Sequence, residues 1–89
     1  MITSMQMRAA RALLGIDQRQ LADLAGLSVP TIQRMEASRG QVRGVIDTLV
    51  KVIAALERAG IEIIGDGAPS TGGGRGVRLR QPTGPKAGA

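Results

Sequence analysis

The chain has 89 residues, and its 12 Lys and Arg against 7 Asp and Glu give a net charge of +5, which fits one small basic domain. It contains no His, Cys or aromatic residue, which excludes zinc sites, disulfides, thiol catalysis and aromatic platforms for single-stranded nucleic acid. The basic balance favours a polyanionic partner, and no apolar run approaches the roughly 18 residues of a membrane span. We therefore expect a cytoplasmic protein.

The first helix is predicted near the start of the chain. Thr3 or Ser4 can act as its N-cap, and the helix should cover roughly residues 5–14 before Gly15 ends it. The spacing i, i+3, i+4, i+7 assigns its inner face to Ala9, Ala12, Leu13 and Ile16.

Two short helices should follow. Asp17 stands three residues before Gln20, as in a capping box, and Gly26 can end the helix that begins there. Ser28 can cap a third helix, in which Pro30 is tolerated because the first turn does not use its missing N–H. The predicted inner faces are Leu21, Leu24 and Ala25 in the second helix and Ile32 and Met35 in the third.

Beyond an irregular stretch, Asp47 can cap a fourth helix that ends before Gly60. The period then changes from 3.6 to 2, so Ile61–Ile64 and residues 77–80 are predicted to pair as a β-hairpin with a long, glycine-rich loop. Residues 81–89 have nothing to bury and should be disordered. The predicted inner face of helix four is Leu49, Val52, Ile53 and Leu56.

The unit from Gln18 to Glu36 is a short helix, a glycine turn and a second short helix. Two helices that cross steeply need a small residue at their closest approach and a residue that accepts positive φ in the turn, here Ala22 and Gly26. This unit resembles the lambda-repressor-like helix-turn-helix family, the Cro and xenobiotic-response-element group of bacterial and phage regulators. The likeness covers about residues 5–60 and is carried by the segments 8–15, 20–28 and 31–36.

The resemblance implies a mainly α fold with four to five helices over residues 1–60. The hairpin over residues 61–80 is added to it as a dimerisation or partner segment, and helix four is the other candidate surface for a dimer. It also implies that the third helix, about residues 28–36, lies in the DNA major groove. Residues at the positions of Arg11 and Glu36 form an ion pair between helices one and three in similar proteins. Pro30 departs from the usual family residue, and we expect it to affect how the third helix enters the groove.

Several side chains can then be given roles on DNA. Arg34 can offer two donors to guanine, Gln33 can pair with adenine, and Val29 with Pro30 can touch thymine methyl groups. Gln18 matches a position that contacts the DNA backbone in the family, and the loop residues Arg39 and Arg43 are candidates for phosphate contacts. The predicted DNA-binding residues are Gln18, Ser28, Val29, Pro30, Thr31, Gln33, Arg34, Arg39 and Arg43.

These features predict a regulator that binds double-stranded DNA as a homodimer at inverted-repeat operators, including the operator of its own gene, and associates with the nucleoid. The carboxylates suggest no acid/base pair, and the glycines at 72–76 are not followed by a phosphate-binding motif. We expect no catalysis, cofactor, metal, small-molecule ligand or membrane contact. Proteins of this type often belong to mobile genetic elements. The alternative is an antitoxin-like regulator whose residues 61–89 bind a protein partner.

Overall fold

The computed structural model describes residues 2–39, 46–65 and 72–80. Within those ranges the chain forms four helices followed by a two-stranded antiparallel hairpin, which confirms the predicted fold class. The elements are α1 (Ser4–Leu14), α2 (Gln18–Ala25), α3 (Val29–Glu36), α4 (Ile46–Arg58), β1 (Ile61–Ile64) and β2 (Gly76–Leu79).

Side-chain caps start the first three helices. The side-chain oxygens of Thr3, Asp17 and Ser28 each accept a hydrogen bond from the backbone N–H three residues later, at 3.1, 2.8 and 3.3 Å. At the first two caps the bond is returned, because Gln6 and Gln20 accept from the backbone N–H of the cap residue. These contacts satisfy donors that the first turn of a helix otherwise leaves unpaired.

Of the inner face predicted for α1, only Ile16 packs against the core, and the prediction is wrong for the other three residues. Ala9, Ala12 and Leu13 are exposed, while Met7 and Ala10 are fully buried and Leu14 is half-buried. Two apolar stripes run along this helix, and the one that contains Met7 and Ala10 packs against the rest of the chain. Leu24 in α2 is likewise 48% exposed rather than buried, whereas Leu21, Ala25, Ile32 and Met35 pack in the core as predicted.

Helix α4 supplies the other half of the core. Leu49, Val52 and Leu56 are buried as predicted, and Ile53 is half-buried against them. Asp47 was expected at the N-cap, but the helix already begins at Ile46, so the carboxylate lies in the first turn. There it still interacts favourably with the positive end of the helix dipole.

The hairpin packs against α1 and α4. Its register pairs Ile61 with Leu79, and β2 begins one residue earlier than predicted, at Gly76. Ile61 is fully buried in the core shared with the helices. The side-chain amide of Gln6 donates to the backbone oxygens of both Ile64 and Gly76, each at 2.9 Å, and so fastens α1 to the end of the hairpin at which β1 leads into β2.

Ala22 provides a test of the packing between α2 and α3. It is 1% exposed in the core, so Ala22→Leu should push the helices apart and lower the free energy of unfolding by about 1–3 kcal/mol. Ala12→Leu adds the same atoms at an exposed position of α1 and should change stability by less than about 0.5 kcal/mol. Urea denaturation measures both, and equal stability of the two variants would contradict the packing described above.

Candidate DNA interface

The turn between α2 and α3 fixes how the two helices meet. Gly26 has φ 69°, a left-handed conformation that glycine adopts without a Cβ penalty. The next N–H, from Leu27, returns to the carbonyl of Ala22 at 2.9 Å and closes the end of α2. With Ala22, Ile32 and Met35 buried, α3 is held against α2 by one face and presents its other face to solvent.

The solvent face of α3 carries the predicted base-reading residues. Ser28, Pro30, Gln33 and Arg34 are exposed there. Val29 and Thr31 are half-buried, Val29 because it packs against the edge of the core.

Hydrogen bonds along this face orient Arg34. Its Nη2 donates to Thr31 Oγ1 at 3.3 Å, and the Thr31 hydroxyl also shares a hydrogen bond of 2.9 Å with the Ser28 hydroxyl. A guanidinium has five N–H donors, so Arg34 retains donors for a ligand. Ser28 and Thr31 therefore act within α3 as a cap and a support for Arg34.

A buried ion pair fixes α3 to α1. Arg11 donates from Nε and Nη2 to the two carboxylate oxygens of Glu36, at 2.6 and 2.7 Å, and Glu36 is only 3% exposed. The pair implied by the family resemblance is therefore present. This two-pronged geometry is the strong form of an Arg–carboxylate contact and fixes the relative orientation of the two helices.

Burial opposes ionisation of Glu36, but other contacts outweigh it. Hydrogen bonds from Arg11 and Gln18 and the charges of Arg11 and Arg8 hold the pKa of Glu36 below its usual range. The hydrogen bond to Glu36 raises the pKa of Arg11 despite some burial of the guanidinium. Both groups therefore remain charged at neutral pH.

Gln18 lies at the first position of α2 and is half-buried. Its side-chain amide donates to Glu36 Oε1 at 3.1 Å, so it contacts the ion pair beneath α3. An amide carries two N–H donors and a carbonyl oxygen. The backbone N–H groups at the start of α2 also suit a phosphate oxygen.

Arg8 belongs to this site although its sequence position does not predict it. Its Nη1 donates to the carbonyl oxygen of Glu36 at 2.9 Å, next to the C-terminal end of α3. A cation there satisfies a carbonyl that the helix leaves unpaired and complements the negative end of the helix dipole. The two residues are 28 positions apart in the chain, so no local spacing signals the contact.

The two loop arginines differ in what the structure shows. Arg39 is exposed three residues beyond the end of α3. Arg43 lies outside the described residues. The positively charged side chains on the exposed surface of the first three helices and the residues just beyond them are Arg8, Arg19, Arg34 and Arg39.

Other kinds of site have little support in the described part of the chain. It contains no group of three acidic residues placed to hold a metal ion. An open, largely apolar groove of about 310 Å³ lies between α1 and β2, lined by residues that include Met5, Ala9 and Val77. None of the helices described has the length and hydrophobicity needed to cross a bilayer.

Comparison with known proteins agrees with the geometry. A family model described as helix-turn-helix matches residues 7–59, which include all of α2 and α3. A search of curated proteins finds no match. The match covers more than half of the chain and extends from within α1 to just beyond the end of α4. The chain therefore belongs to the lambda-repressor-like helix-turn-helix family of DNA-binding regulators.

Proposed function

We propose that the protein is a sequence-specific transcription regulator that binds inverted-repeat operators as a homodimer, including the operator of its own gene. The observation that carries this proposal is the exposed polar face of α3, which the buried Arg11–Glu36 pair holds in a fixed orientation. Preorganisation of this kind reduces the entropy lost on binding. Occupancy of a promoter by the protein would be its regulatory mechanism.

Each proposed contact follows from the chemistry of a side chain on α3 or beside it. Arg34 would donate to guanine O6 and N7, Gln33 would pair with adenine, and Val29 with Pro30 would contact thymine methyl groups. Gln18, Arg39 and Arg43 would bind phosphates and so set the register of the protein on the duplex. Ser28 and Thr31 would approach the duplex from the first turn of α3.

A homodimer is proposed because one short helix reads only a few base pairs. Two linked copies bind much more tightly, since the second half-site is engaged within the complex. The recognition helices of such a dimer should be about 34 Å apart, with half-sites centred about 10 base pairs apart. Selection of binding sites from random duplex DNA, followed by footprinting, tests this arrangement. Selected sequences without a repeated half-site would contradict the dimeric mode.

Arg34 and Arg39 should respond differently to alanine substitution. Arg34→Ala should cost about 1–3 kcal/mol on the selected site and relax the preference at one base-pair position. Arg39→Ala should weaken binding to every sequence and reduce the slope of log K against log salt by about one unit. Fluorescence anisotropy titrations measure both effects. Equal weakening of Arg34→Ala on all sequences would make Arg34 a phosphate contact instead.

The antitoxin-like alternative receives less support. It needs residues 61–89 to be unpacked without a protein partner, yet β1 contributes the buried Ile61 to the core. Gln6 also bonds both strands at the end where β1 leads into β2. A partner could still engage the final residues. Limited proteolysis with and without the product of a neighbouring gene tests that alternative, because a partner-bound tail becomes protected.

A further inference from the structure

The outer face of α4 carries apolar residues that nothing in the described chain covers. Ile46 is 70% exposed and Val50 is 51% exposed, although both are large and apolar. With the half-buried Ala54 they follow the spacing i, i+4, i+8, which places them in one stripe. The stripe lies on the side of the helix opposite to the buried Val52. We call these three residues the α4 stripe.

The exposed surface of this helix carries charges of both signs, acidic at Asp47 and Glu57 and basic at Lys51 and Arg58. Asp47, in the first turn, and Arg58, in the last turn, are both exposed. They are eleven residues apart, close to three full turns, so they lie along the same edge of the stripe. One donor of Arg58, Nη2, bonds the carbonyl oxygen of Leu24 at 3.2 Å, which leaves other N–H groups of the guanidinium for a further contact.

We propose that the α4 stripe is the surface that a second copy of this chain covers, with the two α4 helices antiparallel across a two-fold axis near the middle of the helix. This proposal rests on the homodimer of the proposed function and assigns its contact surface. An antiparallel arrangement brings Asp47 of each subunit opposite Arg58 of the partner subunit, so the charge contact forms twice. A parallel two-fold arrangement would put Asp47 and Arg58 at opposite ends of the interface, so this charge contact would not form.

Another exposed apolar stripe fits a second copy less well. On α1 the exposed Met5, Ala9, Ala12 and Leu13 form such a stripe, flanked by Arg8. No acidic residue occurs in residues 2–16, so two copies joined there would bring positive charges together without compensation. The α4 stripe is the one of the two that is flanked by charges of both signs, so a second copy can place opposite charges in contact there.

The size of α4 sets the strength of the contact. Its 13 residues form a helix about 20 Å long, and one such helix pair covers less than the roughly 800 Å² per partner of a standard stable interface. The free dimer should therefore be weak. Adjacent half-sites on DNA raise the effective concentration of the second copy and would strengthen the same contact.

Charge reversal and its rescue provide the test. Asp47→Arg and Arg58→Asp should each weaken self-association at least about tenfold, because two like-charge contacts replace two favourable ones. The double variant restores opposite charges and should recover association to near the wild-type value. Arg19→Asp, a reversal on the exposed surface of α2, is the matched control and should associate like the wild type. Sedimentation equilibrium measures association, and circular dichroism verifies folding.

The outcomes separate this inference from the proposed function. Single reversals that associate like the wild type, or a folded double variant that remains as weak as the singles, would overturn the α4 contact. So would a wild-type chain that stays monomeric in solution and binds two adjacent half-sites without cooperativity. Both single variants should still bind one isolated half-site of the selected DNA like the wild type. If the wild type prefers no DNA sequence, the proposed function fails and the association result still stands.

Discussion

Glu36→Ala should lower the free energy of unfolding by about 3 kcal/mol, among the largest effects of any single substitution in this chain. The change leaves the partly buried Arg11 without its carboxylate and removes the hydrogen-bond acceptor of Gln18. It also leaves a cavity beneath α3, because Glu36 is 3% exposed. Urea denaturation at pH 7 measures the loss. We expect operator affinity to fall as well, since α3 loses its fixed orientation.

The pH dependence of the free energy of unfolding distinguishes the contribution of the Glu36 charge from that of its volume. Contacts in the folded state hold the pKa of Glu36 below its usual value, so the pair stabilises the protein above the unfolded-state pKa, about 4.3. That contribution is lost as the pH falls through the folded-state pKa. Glu36→Gln keeps the shape and should be less stable at pH 7, with the difference from the wild type shrinking in acid. Parallel stability curves for the two proteins would contradict this account.

The ends of the helices could be predicted from sequence because their contacts are local. The caps at Thr3, Asp17 and Ser28 join atoms only three residues apart, so residue type and spacing are sufficient to identify them. Gly15 and Gly26 end their helices with positive φ, which few other residues adopt. The helix-turn-helix unit itself followed from the same local rules.

The orientation of α1 could not be predicted in this way. Both of its faces carry apolar residues, and the choice between Ala9 and Ala10 depends on what the rest of the chain presents to the helix. The burial of Gln6 could not be predicted either, because local sequence places a glutamine on the surface. Its acceptors are the backbone oxygens of residues 58 and 70 positions further along the chain.

In the candidate site, too, the features set by local sequence could be predicted and those set by long-range packing could not. The exposed positions of α3 follow from helical periodicity, so Gln33 and Arg34 could be assigned to the surface from sequence. The network beneath them joins residues from three helices. The Arg11–Glu36 pair was implied only by the family resemblance, and the contacts of Gln18 and Arg8 with Glu36 depend on the packed structure.

Ile61→Ala tests whether the hairpin and the helices form one cooperative unit. Ile61 is fully buried and belongs to the same core as Val52 and Leu56 of α4. Removing its side chain should cost about 2–5 kcal/mol, and each kcal/mol lowers the melting temperature of a domain of this size by about 4–8 °C. Because the core is shared, the helical signal should melt at this lowered temperature in a single transition.

The matched control lies directly across the hairpin. Leu79 is the register partner of Ile61 but is 45% exposed, so Leu79→Ala removes a cross-strand contact without opening the core and should cost less than about 1 kcal/mol. Circular dichroism at 222 nm follows the helices in both variants. If Ile61→Ala left the helical transition at the wild-type temperature, residues 61–80 would be a separate appendage of a helical domain that ends near residue 60. A shared transition instead makes the hairpin part of the structure that holds α3.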